Sequence, residues 1–178
     1  MIPFWEKEYL NIEKSTFGNP SKEVEDIVSL LPKGAKILDV GCGSGILGMI
    51  ALMLGAKHSV GTDLDPCAIT ATHENMEVNG ITKDRYEVMI GNIIDDKEVQ
   101  DKVGYEKYDI VLANILAEVL VPLTPVIVNQ MKKGAVYITS GIIDDKEETV
   151  VNAVKAAGLE VLEVNYQGEW VSVVARKN

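Results

Sequence analysis

A chain of 178 residues, 47% hydrophobic and 25% charged, carries enough apolar material for one folded domain and too much for a disordered or fibrous one. A formal charge of −10 argues against a broad basic surface gripping nucleic-acid phosphates and favours a basic protein partner. Two cysteines make no disulfide framework, and with His58 and His73 they match no zinc spacing, so Cys42 and Cys67 read as small buried thiols and no metal is expected.

The opening Met1-Ile2-Pro3-Phe4-Trp5-Glu6 shows no basic leader before an apolar stretch, and no apolar run nears the ~20 residues of a membrane span, which points to the cytoplasm. Residues 1–33 hold Trp5, Tyr9 and Phe17, whose rings either pack on the domain or cover a pocket. Val24, Ile27, Val28 and Leu31 then fall on one helix face. This part reads as a lid or helix segment ahead of a ligand-binding catalytic domain at 34–178, one domain overall.

Lys36 to Val40 is the first strand, and its apolar run reaches Asp39 before Gly41-Cys42-Gly43-Ser44-Gly45. An amphipathic helix follows, with Ile46, Leu47, Ile50, Ala51 and Leu54 inward and Gly55 as its stop. Glycines lack a Cβ, so the turn can take positive φ and a ligand can approach the backbone at a helix start. That builds a nucleotide-type pocket. A dinucleotide fingerprint would need its last glycine at Ile46, which disfavours a pyrophosphate guest and hydride transfer with NAD.

The second strand, about His58 to Thr62, ends in Asp63, 24 residues after Asp39 (63 − 39) and near the ~20-residue offset of a ribose-binding acid. Asp63 is the candidate for ribose hydroxyls, with Thr62 and Leu64 as apolar walls for an adenine. Asp65 precedes Pro66 and reads as the N-cap of a helix to Asn79. Tyr86 to Ile90 is the third strand, and Asn92 beyond it is either an adenine-edge contact or a turn asparagine. The charge runs at 95–98 and 144–148 read as solvated helix starts.

Tyr108 to Ala113 is a fourth strand, apolar enough to be buried on both faces. Asn114 at its end is either a reaction-site polar group or the N-cap of a segment starting at Ile115. A helix to Met131 would tolerate Pro122 and Pro125 only with a distorted first turn. Gly134 to Ser140 is the fifth strand and Asp144 to Ala157 a helix. Leu159 to Tyr166 and Glu169 to Arg176 alternate across a connection too short for a crossover, so they form an antiparallel hairpin. The predicted fold is α/β, a seven-stranded, mostly parallel Rossmann-like sheet with that hairpin at its end and helices on both faces.

The segment Leu38 to Leu47 resembles the first motif of class I S-adenosylmethionine-dependent methyltransferases. From about Lys36 to Lys177 the chain is similar to the catalytic domain of the ribosomal protein L11 methyltransferases. The matching segments are Leu38 to Leu47, Gly61 to Pro66, Glu74-Asn75, Val78-Asn79-Gly80, Ala113 to Ala117, and Gly168-Glu169-Trp170-Val171. The resemblance implies S-adenosylmethionine as cofactor and a ribosomal-protein amine as acceptor. It also implies that Asp39 faces the cationic methionine end of the cofactor, while Gly41, Cys42, Gly43, Ser44 and Gly45 admit its backbone. Asn114 would then orient the amine lone pair, as the catalytic residue beside the cofactor.

Two departures point elsewhere. Residues 1–35 stand where the family carries a separate domain that docks the ribosomal protein, and Ser15-Thr16-Phe17-Gly18-Asn19-Pro20 replaces the family's glycine-threonine-histidine-proline loop. The opening Phe4-Trp5-Glu6-Lys7-Glu8-Tyr9 looks more like small-molecule methyltransferases of the tellurite-resistance type. A small-molecule acceptor is therefore the alternative, followed by a module that binds S-adenosylmethionine without turnover. Nucleic-acid amines fit less well, because Asn114-Ile115-Leu116-Ala117 replaces the asparagine-proline-proline-aromatic signature of enzymes that methylate them.

Overall fold

The structure, a computed structural model, describes Pro32 and residues 34–178; the expected lid aromatics and the Val24 to Leu31 helix face lie outside the described residues. The elements in chain order are β1 (Lys36–Val40), α1 (Ile46–Met53), β2 (His58–Asp63), α2 (Pro66–Val78), β3 (Tyr86–Ile90) and α3 (Lys97–Val103). They continue with β4 (Tyr108–Asn114), α4 (Ala117–Ile127), β5 (Met131–Ile143), α5 (Glu147–Ala156), β6 (Leu159–Gln167) and β7 (Trp170–Lys177). A single sheet runs β3-β2-β1-β4-β5-β7-β6.

Strands β1 to β5 are parallel to one another, while β7 is antiparallel to both β5 and β6. Ile37, Leu38 and Val111 are fully buried on the central strands, as burial on both faces requires. Right-handed crossovers that advance in opposite directions along a sheet put their helices on opposite faces. One core cluster accordingly joins α3, α4 and α5 through Val99, Val103, Leu120, Leu123, Val150 and Val154 to the sheet. Strand order reverses between β1 and β4, and such a switch point opens a crevice at the strands' carboxyl ends.

The expected hairpin is present, with Gln167 paired to Trp170 across its turn. Three boundaries differ from expectation. Helix α4 ends at Ile127, and Met131, expected to close it, instead opens β5 opposite Tyr108. The carbonyl of Gln130 accepts the N–H groups of Lys107 and Tyr108, which draws the chain into the sheet early. Gly134, at φ +79°, sits within an irregular stretch of β5 rather than at its start. At its other end β5 runs on to Ile143, because β7 continues to pair with it.

Pro122 and Pro125 lie inside α4 rather than in its first turn, since the helix begins only at Ala117. Both face solvent one turn apart, so the positions lacking an N–H stay on the outer side. The run at 144–146 forms a 3-10 turn that leads into α5. No helix among the described residues is long and apolar enough to cross a membrane.

Candidate functional site

The glycine turn follows β1 directly, and its three glycines Gly41, Gly43 and Gly45 take φ of +68°, +53° and +78°. The carbonyl of Thr62 on β2 accepts the N–H groups of Gly41 and Cys42 at 2.8 and 3.1 Å. Helix α2 fastens the other side, where Thr72 Oγ1 donates to the Gly43 carbonyl and Asn75 Nδ2 to the Ser44 carbonyl, each at 2.9 Å. A Cβ on Gly41 would meet Ile115 Cγ2 at 2.5 Å, and one on Gly45 would meet Thr72 Cγ2 at 2.5 Å. A Cβ on Gly43 would meet nothing within 4 Å, so this glycine faces open space.

Asp63, expected at the ribose, stands at the end of β2 with Oδ2 accepting Gly43 N–H at 2.8 Å and Oδ1 accepting Asp65 N–H at 2.9 Å. Each carboxylate oxygen has two lone pairs, so one on each remains open to a ligand hydroxyl. Asp65 caps α2 through Cys67 N–H, with Pro66 at the first helical position, as the sequence predicts. Leu64 is 65% exposed beside this acid, an apolar side chain left without cover. Thr62, expected as the opposite apolar wall, is buried under the loop that its carbonyl holds.

Asp39 has a framework role that the sequence reading did not assign. Its carboxylate is only 1% exposed, and Oδ2 accepts Gly48 N–H at 3.0 Å and the Tyr86 hydroxyl at 3.1 Å. Gly48 is in the first turn of α1, where backbone donors lack helical partners, and Gly45 before it offers no side-chain cap. Asp39 Oδ2 therefore caps α1 from the end of β1 and supports the loop from beneath. Burial pushes its carboxyl up to about 6, against the lowering effect of those two hydrogen bonds. The same buried setting pushes the Cys42 thiol up to about 12, with Asp39 and Asp63 adding repulsion, so Cys42 acts as a neutral packing residue. Cys67, expected as a buried thiol, is instead exposed on the first turn of α2.

Asn114 ends β4 with its side chain exposed and no hydrogen-bond partner among the described residues. It is not a helix cap: α4 is preceded by Leu116, which makes no side-chain cap bond. Gly141 lets β5 approach it, since a Cβ there would stand 2.6 Å from Asn114 Oδ1. Asn92 forms the turn its residue type predicts, its Oδ1 accepting Ile94 N–H at 3.1 Å. Its amide nitrogen has no partner among the described residues. Around these groups Ile90, Leu116 and Trp170 are each at least half exposed at the ends of β3, β4 and the start of β7. Sequence reasoning missed Tyr86, Thr72 and Gly48 as supports of the loop. Only Asn75, within the family-like helix end, carried any signal.

Sheet order, glycine turn and paired acids together define the class I S-adenosylmethionine-dependent methyltransferase fold. A ribosomal protein L11 methylase from Lactobacillus delbrueckii subsp. bulgaricus superposes with a TM-score of 0.76 at 29% identity, over 87% of this chain and 76% of that one. A TehB-like methyltransferase from Corynebacterium glutamicum shares the fold at a TM-score of 0.68, with 20% identity over 98% and 96% of the two chains. The profile of the ribosomal protein L11 methyltransferase family matches residues 23–178, and the chain belongs to that family. It is 51% identical to the ribosomal protein L11 methyltransferase of Lachnospira eligens over 98% of this chain and 60% of that protein. It is 56% identical to that of Agathobacter rectalis over 82% and 46%. The chain thus spans about half of the length of these relatives.

Proposed function

We propose that this domain binds S-adenosylmethionine in the crevice above β1, β2 and β4 and transfers its methyl group to an amine of a ribosomal protein. Support for the cofactor comes from the shape and donor set of the crevice. Gly43 opens onto empty space, Asp63 keeps two acceptor positions for ribose hydroxyls, and exposed Leu64 and Ile90 provide apolar surface beside the Asn92 amide. These residues fit an adenosyl group, with Gly41, Cys42, Gly43, Ser44 and Gly45 against its amino-acid end. Membership in the ribosomal protein L11 methyltransferase family supports the acceptor.

When bound, S-adenosylmethionine supplies a methyl group on a sulfonium, open to in-line displacement. The protein's own task is then positioning and exclusion of water. Asn114 Oδ1 accepts an N–H of the incoming amine, which turns the nitrogen lone pair away from the amide and towards the donor. Asparagine does not titrate, so the amine must arrive neutral and its proton leaves to solvent. Leu116 and Trp170 supply apolar surface along which the aliphatic stem of an amine side chain can lie.

The observation that carries the reading is the exposed Asn114 side chain at the switch point, without a partner among the described residues and across β1 from Asp63. The test incubates the chain with S-adenosylmethionine labelled in its methyl group and either purified ribosomal protein L11 or a pool of small-molecule amines. Label in the ribosomal protein, lost in Asn114→Ala, is expected. Label only in small molecules would replace the acceptor, and binding without transfer to either would replace the activity.

A further inference from the structure

At the opposite end of the strands from the glycine turn lies a cavity of about 310 Å³ formed where the parallel strands begin. Its floor is apolar: Val60, Val103 and the Tyr108 ring are buried and Met89 is partly so. Its mouth carries Lys36, Lys57, Lys102 and Lys107. The backbone is fixed at three of them, and Lys107 Nζ itself donates to the Val103 carbonyl at 3.4 Å. Lys36 N–H donates to Asp109 Oδ2 at 2.9 Å, Lys57 N–H to the Ala35 carbonyl at 2.9 Å, and Lys107 N–H to the Gln130 carbonyl at 2.9 Å.

None of the four ammonium groups forms an ion pair within the described residues. Glu87, the acid of the lining, is taken by His58 Nε2 at 3.0 Å, and Asp109 nearby is held by Lys132 at 2.7 Å. Four lysines against one glutamate leave a lining charge of +3 (4 − 1), on a chain whose total is −10. Like charges gathered around one cavity repel each other, and low-dielectric walls focus their field into it. An anion relieves that repulsion. Lysines act as point charges on phosphate, and several of them suit a ligand with more than one negative charge. The apolar floor, where half-buried Met89 reaches the cavity, adds a place for a ring, and the volume lies at the small end of the range for organic ligands.

We propose that this cavity is a second ligand site, separate from the glycine-turn crevice, for a small organic phosphate: a ring body of nucleoside size on the floor and two or more negative charges at the lysines. The site lies at the amino ends of β1, β2 and β4, so its occupant and a ligand at the carboxyl ends bind at once.

The test titrates the full chain, without metal, with cytidine triphosphate and with inorganic pyrophosphate, by calorimetry and by backbone amide shifts. A pyrimidine is chosen because adenosyl groups have the other crevice as a rival. One saturable site is expected, with shifts at Lys36, Lys57, His58 and Lys107, a quiet Gly41 to Gly45 segment, and tighter binding of the nucleotide than of pyrophosphate. Lys57→Glu combined with Lys107→Glu should weaken the nucleotide by about tenfold or more, leaving S-adenosylhomocysteine affinity unchanged. Four outcomes would overturn the proposal: no saturation by about 1 mM, shifts centred on the glycine turn, equal affinity for the two probes, or indifference to the double charge reversal. Binding of a mixed-sequence RNA oligonucleotide with no binding of either small probe would also overturn it, and would assign the lysines to a nucleic-acid surface.

Discussion

Gly43 N–H donates to Asp63 Oδ2 at 2.8 Å, so the acid proposed for the ribose also ties the glycine turn to the end of β2. Its other oxygen holds Asp65 N–H at the start of α2. Asp63→Ala therefore removes a ligand acceptor and loosens the backbone the ligand rests on. Hydrogen bonds to charged groups contribute roughly 1.5–3 kcal/mol, so S-adenosylhomocysteine affinity should fall by about 10- to 150-fold in calorimetry. Affinity within twofold of the unmodified chain would remove Asp63 from the site.

Asp39 makes the domain's stability depend on pH in a direction opposite to that of a salt-bridged acid. Its carboxyl is pushed up to about 6 in the fold by burial, against about 3.9 in an unfolded chain. Between these values the unfolded chain releases a proton that the folded one keeps, so raising the pH favours unfolding. The effect of this one group approaches about 3 kcal/mol and levels off at about pH 7, roughly a unit above its folded value. Asp39→Asn keeps an acceptor for Gly48 N–H and does not ionise. Urea unfolding of both proteins from pH 4 to 7 should show the unmodified chain losing ground to the variant as pH rises. A stability difference that is flat across this range would contradict the assignment.

What the sequence revealed was largely local. The glycine turn, the Asp65-Pro66 cap and the closing hairpin each depend on neighbours a few residues apart, and each is recovered in the fold. The framework role of Asp39 was not legible because it depends on Tyr86, 47 residues away, and on a helical N–H that has no sequence signature. Gly134 was taken as the start of the fifth strand. The pairing of Tyr108 with Met131 instead carries β5 across it. Asn114 was ambiguous because asparagine suits caps. Only the start of α4 at Ala117 separates the two roles.

Gly43 and Gly45 share positive φ but differ in what surrounds them, which separates ligand space from packing space. Alanine at either costs about 1–2 kcal/mol of backbone strain. At Gly45 the new methyl must also displace Thr72, whose hydroxyl holds the Gly43 carbonyl at 2.9 Å. Gly45→Ala should therefore be the less stable protein in thermal unfolding. Gly43→Ala should stay folded and yet bind S-adenosylhomocysteine poorly, because its methyl projects into open crevice. Unimpaired binding by Gly43→Ala would mean that the ligand does not approach this stretch of backbone.

Asn114 offers the sharpest separation between scaffold and chemistry, because its side chain makes no hydrogen bond among the described residues and packs against Gly141. A helix cap replaced by alanine costs typically ~1 kcal/mol. Asn114 caps no helix, so Asn114→Ala should change stability by less than about 0.5 kcal/mol. Methyl transfer should nevertheless fall about a hundredfold, the cost of a misplaced reactant. S-adenosylhomocysteine affinity should fall far less, which distinguishes an amine-orienting group from a cofactor anchor. Asn114→Asp keeps an oxygen acceptor at the same position and should recover part of the lost turnover. If the alanine variant unfolds at markedly lower temperature, or loses cofactor affinity in step with activity, Asn114 belongs to the framework and the amine must be oriented by another group at the same crevice.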